Sequence, residues 1–533
     1  MIFRALQALL VILLAAPLAA QNPSQNPVSK TLDILIRNGS VFDGSGSPAK
    51  RVDIGIRNDR IVLIKTGIRR NAKRVIDAHG LIVAPGFIDP HTHTLGDLSN
   101  PDTSRNDAYL MQGVTTVTVG NDGSSPLQIG ATLRKLDQQG IGTNVAMFIG
   151  QGSVRRAVMG MSDATPTAAQ MDSMKALVDR GMKEGAIGMS TGLFYAPGSY
   201  SSTEEVIALA KIASADGGIY DTHMRDEDSY TIGLLGSVKE TIRIGREAHI
   251  PVMISHIKAL GKSVWGESTA VIALVNAARA SGVNVTASQY PYNASGTSIQ
   301  ASLIPRWAEV GGHADLLHRI DDQAVRPRLI AAMQKNLDDR GGPESLLVTV
   351  SPDKEFTGKT LAAIAKEHNL SPIDAALMII KKGGGAVASF NMQESDIRNF
   401  MRQPWVMTCS DGSPGHPRKY GTFPRKLRKY VFDEHVITLP FAIRSMTSLP
   451  AETLRLKDRG LLKPGYFADV VIFNPKTIRA ISTYKEPKLL ATGVTYLLVN
   501  GQFAIDGGQL TSTHAGRALP HGHPYLMTSS AKE

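Results

Sequence analysis

From Leu32 to Val83 the apolar positions come in short alternating runs, "DILIRNGSVFDG", "VDIGIRNDRIVLI" and "RVIDAHGLIVAPG", parted by Gly, Asn and Asp. Alternation with a period of two between turn residues predicts short β-strands of a small sheet. The same texture returns late, in "GYFADVVIFNP" and "TYLLVNGQFAIDGGQL". Both ends of the chain are therefore expected to build one small β-domain, a β-sandwich from 29–84 and 446–515, with a larger unit inserted between them.

That larger unit, 85–445, has another rhythm. Apolar β-rich runs recur as "GVTTVTVG", "NVAMFIG", "GAIGMS", "GGIYDTH", "IPVMISH", "VNVTASQYP" and "PWVMTCSD", with helical patterns between them. "SSTEEVIALAKIA" sets Ser202 and Glu205 at capping-box spacing and puts Val206, Leu209, Ala210 and Ala213 on one face. "STAVIALVNAARASG" does the same with Val271, Leu274, Val275 and Ala278. Continuous apolar strands alternating with amphipathic helices are buried on both faces, and about eight such units predict an α/β fold, a (β/α)8 TIM-like barrel. A doubly wound open sheet is the other fold with this pattern. Residues 303–346 break the rhythm with charged helical pieces and are expected to form an insertion, either a lid over the site or a passive elaboration. Residues 516–533 are expected to be a tail.

Composition adds two constraints. The chain has 533 residues, 42% hydrophobic and 20% charged, which suits a globular protein of more than one domain. Its start, "MIFRALQALLVILLAAPLAAQNP", has one cation (Arg4), an apolar run too short for a comfortable span and small residues before Gln21. This predicts a signal peptide over 1–20, with an uncleaved anchor as the alternative, and a periplasmic or secreted protein without stable membrane insertion after cleavage. The single cysteine, Cys409, excludes an intramolecular disulfide framework. The formal net charge of +11 is dispersed and accompanied by few aromatic residues that would stack bases. Nucleic-acid binding is not expected, and the partner sought is a small molecule.

The candidate chemistry sits where the strands end. His91 and His93 follow the first barrel run, Asp122 follows "GVTTVTVGN", His223 follows "GGIYDT", His256 follows "PVMIS" and Asp411 follows "WVMTCS". Each residue alone fits a turn or helix cap. Together, imidazole and carboxylate groups at the mouth of a barrel are the ligand set of zinc and its neighbours.

The order of these residues resembles the amidohydrolase superfamily. The stretches "GVTTVTVGNDG", "STGLFYAPGSYSS", "THMRDE", "SHIKALG", "QYPYNASGTS", "SDGSPGHPRKYGTFPR" and "MTSLPAETLRLKDRGLLKPGYFADVVIFNP" are similar to those of the N-acyl-D-amino-acid deacylases, or D-aminoacylases, from about Leu32 to about Gln509. The resemblance implies metal ligation by His91, His93, His223, His256 and Asp411. It also implies a ligand at Asp122, where the family has cysteine in a "GNCG"-like turn. A hard carboxylate in that place suits one or two divalent ions with less exclusive preference for Zn2+, so that Mn2+ or Co2+ would serve; the alternative for Asp122 is a turn residue. Asp411 is the expected catalytic proton carrier, or else a structural ligand alone. The substrate's carboxylate would meet Lys258, Tyr290 or Tyr292, and Arg418, with Arg425 a near neighbour of the last. The implied activity is hydrolysis of N-acyl-D-amino acids to a carboxylate and a free D-amino acid. Its rivals are a dipeptidase or cyclic amidase reaction and a binding protein without catalysis. The fourth-strand run "GAIGMSTG" offers no lysine to bridge two metals, which counts against the cyclic amidases. Cys409 is expected to be a packing residue rather than a nucleophile.

Overall fold

A computed structural model describes residues 31–522, so the expected signal peptide, 1–20, lies outside the described residues, as does 523–533. Eight parallel strands form the centre: Phe87–Asp89, Val114–Val119, Asn144–Met147 continued by Ile149–Gly150, Gly188–Gly192, Ile219–His223, Val252–Ile254, Val285–Gln289 and Val406–Thr408. The third strand carries the ladder across its break at Phe148, pairing with the second strand before it and the fourth after it. The eighth and first strands meet just past their ends. There Asp411 N–H donates to His91 O at 3.0 Å and His93 N–H donates to Gly412 O at 3.3 Å. The ring is thus a closed barrel, and its seam joins three of the candidate site residues.

Alternation along the strands sorts the side chains. Ile88, Ile219, Met253 and Met407 from four strands, Phe148 at the break of the third and Ile187 just ahead of the fourth come into one buried cluster, which only the barrel interior can assemble. Val252 and Ile254, either side of Met253, instead belong to the layer under the helices. Leu449 and Ala451 of the helix Ser448–Thr453, together with Leu519, close this interior from below. The expected tail therefore begins as part of the barrel floor: Leu519 N–H donates to Val145 O at 2.8 Å.

Both chain ends build the small β-sandwich. Ile82–Pro85 pairs antiparallel with Val470–Phe473 inside a six-stranded sheet. A four-stranded sheet containing Leu32–Arg37 packs on it through Ile34, Ile54, Ile76, Val83, Ile472 and Leu498. The apolar run Leu81 to Ile88 is thus divided at Gly86 between the sandwich and the first barrel strand.

Two details differ from the sequence expectation. The insertion is wider than 303–346: Ser295–Ser298, Ala386–Ser389 and Leu346–Val350 form an antiparallel sheet with their own helices and their own core. Its strands "LLVTV" and "AVAS" have the same apolar texture as barrel strands, and only their pairing separates them. At the helix Thr203–Ala215 the Ser202 hydroxyl accepts from Glu205 N–H at 3.1 Å, but the Glu205 carboxylate turns to buried Arg155 at 3.0 Å. A cap is worth about 1 kcal/mol, whereas stranding one partner of a buried ion pair costs about 3–5 kcal/mol, so the ion pair takes the carboxylate and half the capping box is lost.

Candidate metal centre

The inward face of the fifth strand climbs from Ile219 through Asp221 to His223, and that of the sixth from Met253 to Ser255, so the interior turns from apolar to polar towards the mouth. Beyond the strand ends the backbone bends sharply. Asp122, His256 and Asp411 have φ of 54°, 35° and 46°, left-handed values that cost a non-glycine residue about 1–3 kcal/mol. Room for the Asp122 turn comes from Gly192, where a Cβ would stand 2.3 Å from Asp122 O. Asp122 is thus a turn residue, and its side chain also enters the cluster.

All six candidate residues converge. Asp122 Oδ1 lies 3.4 Å from His91 Nε2 and 3.5 Å from His256 Nε2, while its Oδ2 lies 3.4 Å from His93 Nε2 and 3.8 Å from His223 Nδ1. His223 Nδ1 and His256 Nε2 are 3.0 Å apart. Asp411 Oδ1 is 3.0 Å from His93 Nε2 and 3.7 Å from His91 Nε2. Ligand atoms about 2.0–2.2 Å from one tetrahedral ion stand roughly 3.3–3.6 Å apart, close to most of these separations.

Three observations fit a cation at this point. First, His91 Nε2 and Asp122 Oδ1 are buried and have no hydrogen-bond partner. Second, the network behind His91 sets its tautomer: Asp221 accepts from the Ser255 hydroxyl, so Ser255 Oγ accepts from His91 Nδ1–H at 3.1 Å, and the Nε2 lone pair is left facing the cluster. Third, the group attracts positive charge. Burial raises Asp122 and Asp411, but the surrounding histidines together at Asp122, and Arg418 with the histidines at Asp411, more than offset it, and both end well below the usual carboxylate range. Burial and Lys258 pull His256 down, yet Asp411 and Glu227 hold it up at about 9. Protons here take the place that a divalent ion would fill.

The cluster forms the floor of a cavity of about 620 Å³. Along one wall Tyr290 stands between two cations, with Lys258 Nζ 5.8 Å and Arg418 Cζ 4.6 Å from its ring centroid. Tyr292 is turned away, its hydroxyl on Pro417 O at 3.4 Å and its ring under Arg425, and neither of that pair lines the cavity. Arg418 Nη1 lies 2.9 Å from Asp411 Oδ2, and its Nε has no partner. Cys409 is buried, and burial pushes its thiol well up, as suits a packing residue.

Known proteins share this arrangement of sequence and fold. The amidohydrolase family pattern matches residues 74–505. D-aminoacylase of Alcaligenes xylosoxydans xylosoxydans is 34% identical over 520 residues, 92% of this chain and 98% of that protein. The chain belongs to the amidohydrolase family, among its N-acyl-D-amino-acid deacylases. A solved D-aminoacylase, described with a binuclear metal centre, superposes with a TM-score of 0.79 at 32% identity, covering 92% of this chain and 100% of that one. N-acyl-D-glutamate deacylase of Bordetella bronchiseptica, solved with zinc and a phosphonate mimic of the tetrahedral intermediate, gives 0.79 at 31% identity with the same coverage.

Within this family member the structure adds residues that sequence reasoning missed. Glu227 accepts from Lys258 Nζ at 2.7 Å and lies 3.2 Å from His256 Nδ1 and 3.7 Å from His223 Nε2. It is thus an acid set against both histidines, and it occupies the lysine expected to be free for substrate. Its place in "THMRDE", four residues after His223, was the available signal. Ser255 and Asp221, which hold His91, had none beyond their inward parity on the strands.

Proposed function

We propose that this chain is a metal-dependent hydrolase of N-acyl-D-amino acids, releasing a carboxylate and a free D-amino acid. The observation that carries the reading is the convergence of His91, His93, Asp122, His223, His256 and Asp411 around the unpartnered His91 Nε2 and Asp122 Oδ1. It is supported by the likeness to D-aminoacylase over nearly the whole chain.

These six residues would hold one or two divalent ions. When bound, such an ion supplies positive charge that polarises the amide carbonyl and acidifies the attacking water. His91 then keeps its proton on Nδ1 and donates it to Ser255, which in turn donates to Asp221. With no thiolate in the set, zinc is held less exclusively, and manganese or cobalt can substitute.

Arg418 and Tyr290 receive the substrate's α-carboxylate, with Lys258 beside them held by Glu227. Asp411 takes the proton of the attacking water on Oδ1, the oxygen facing His93, because Oδ2 is engaged by Arg418. It returns that proton to the leaving nitrogen. A carboxylate arriving at Arg418 competes with Asp411 for the guanidinium and loosens its hold on Asp411, so that binding strengthens the base. A signal peptide over 1–20, and with it a periplasmic or secreted location, rests on the residue pattern of that segment.

The test is release of free amine from a panel of N-acyl D- and L-amino acids by the metal-loaded protein. Hydrolysis selective for D-substrates supports the reading. Selectivity for L-substrates, or no release from any member, overturns it.

A further inference from the structure

The cavity wall carries two donors, one from the insertion and one from a barrel loop, that the chemistry above leaves without a task. Arg340 directly follows the helix Arg326–Asp339, is 1% exposed, and lines the cavity. Its Nε donates to Ser302 O at 3.1 Å, but its Nη1 is buried without a partner. Tyr230, in the loop after the fifth barrel strand, lines the same cavity, and the Arg340 guanidinium lies 5.6 Å from its ring centroid. The Tyr230 hydroxyl is also buried without a partner.

Of the carboxylates near this pair, Asp228 keeps its Oδ2 buried without a hydrogen-bond partner and out of ion-pair contact with Arg340. Asp228 Oδ1 accepts from the Ser263 and Ser229 hydroxyls, and Asp339, just before Arg340, pairs with Lys335 at 2.6 Å. Among the described residues no carboxylate stands in ion-pair contact with Arg340, whereas Arg418 and Lys258 each have one, Asp411 and Glu227. Burying a guanidinium N–H and a phenol O–H without acceptors is costly, and packing alone does not call for it. Both side chains line the cavity, so a ligand group that enters it can supply the acceptor they lack. The place is set apart from the metal cluster by one aromatic layer: the Tyr230 ring is 5.7 Å from that of Phe194, which is 5.6 Å from the His223 ring.

We propose that Arg340 and Tyr230 form a second carboxylate subsite, so that the preferred substrate carries a carboxylate in addition to its α-carboxylate. The planar fork of arginine suits that group, and the phenol supplies a further donor. The second carboxylate belongs either to the amino-acid side chain or to a dicarboxylic acyl group. The proposal rests on the deacylase reading, and the experiment separates the two.

The experiment measures kcat/KM of the wild-type, Arg340→Met and Tyr230→Phe proteins, metal-loaded, on N-acetyl-D-methionine, N-acetyl-D-aspartate, N-acetyl-D-glutamate and N-succinyl-D-methionine. The wild type is expected to favour at least one dicarboxylate over N-acetyl-D-methionine, and which one it favours identifies the carrier of the second charge. In Arg340→Met that preference ratio falls about 10- to 100-fold, mainly through KM, and in Tyr230→Phe by a few-fold. If Arg340→Met does not fold, Tyr230→Phe, which removes only a hydroxyl, decides. A wild type that prefers the neutral substrate, or ratios unchanged in the variants, overturns the subsite and leaves the deacylase reading standing. Hydrolysis of none of the four by the wild type overturns both.

Discussion

The same eight strands end in opposite ways. At the floor, Ile88, Phe148, Ile219, Met253 and Met407 meet Leu449 and Leu519 in an apolar cluster. At the mouth, a few residues further along, histidines and carboxylates crowd together, three of them in left-handed backbone, with buried atoms left unpartnered. The floor obeys every rule of stable packing and the mouth breaks several, which locates where stability is made and where it is given up for chemistry. Substitutions at the mouth should therefore cost rate, and substitutions at the floor should cost stability.

The largest effect is expected at Asp411. Asp411→Asn keeps the size of the side chain and an oxygen for ligation but cannot take the proton, so kcat should fall about 10²- to 10⁴-fold with the fold and most of the metal retained. Near wild-type kcat at normal metal content would place the base elsewhere and blur the contrast. At the floor, Met253→Ala should lower stability by about 2–5 kcal/mol in denaturant titration, with kcat/KM of the folded protein little changed. A large loss of kcat in that variant would show that the two ends are not separable.

The comparison also shows how much of the molecule was legible in the sequence. The barrel and sandwich could be read because buried strands and alternating strands have different apolar periods, and the six cluster residues because each interrupts an apolar run at its end. Glu227 was missed although it stands in "THMRDE", because it sits in a loop and its partners Lys258, His256 and His223 come together only when the fifth and sixth strands lie side by side. The limits of the insertion were missed because Leu346–Val350 and Ala386–Ser389 differ from barrel strands in pairing, not in composition.

Smaller effects sharpen the picture. Arg418→Lys removes the fork that faces Asp411 and the substrate, and KM should rise about tenfold. If KM and kcat are both unchanged, the carboxylate is held by another cation, with Arg425 the first to try. Lys426 is a buried cation away from the mouth, its Nζ on Thr408 Oγ1 at 2.7 Å and Ser445 Oγ at 2.9 Å, and burial pulls it down to about 7. Because the unfolded chain binds this proton up to a pH of about 10.4, stability should rise with pH from about 7 to about 10, and the neutral amine is favoured in the fold. Lys426→Met should flatten that rise in thermal unfolding without changing the pH dependence of the rate. Parallel stability profiles for the two proteins would show that the amine is not titrating there.

The central claim, that the mouth cluster exists to hold a catalytic cation, is tested most directly by stripping the protein of metal with a chelator, verifying its metal content, and following D-selective deacylation as zinc, manganese or cobalt is added back. Activity should vanish in the stripped protein and return in proportion to bound metal, saturating at roughly one to two ions per chain. Full activity in demonstrably metal-free protein would contradict the account.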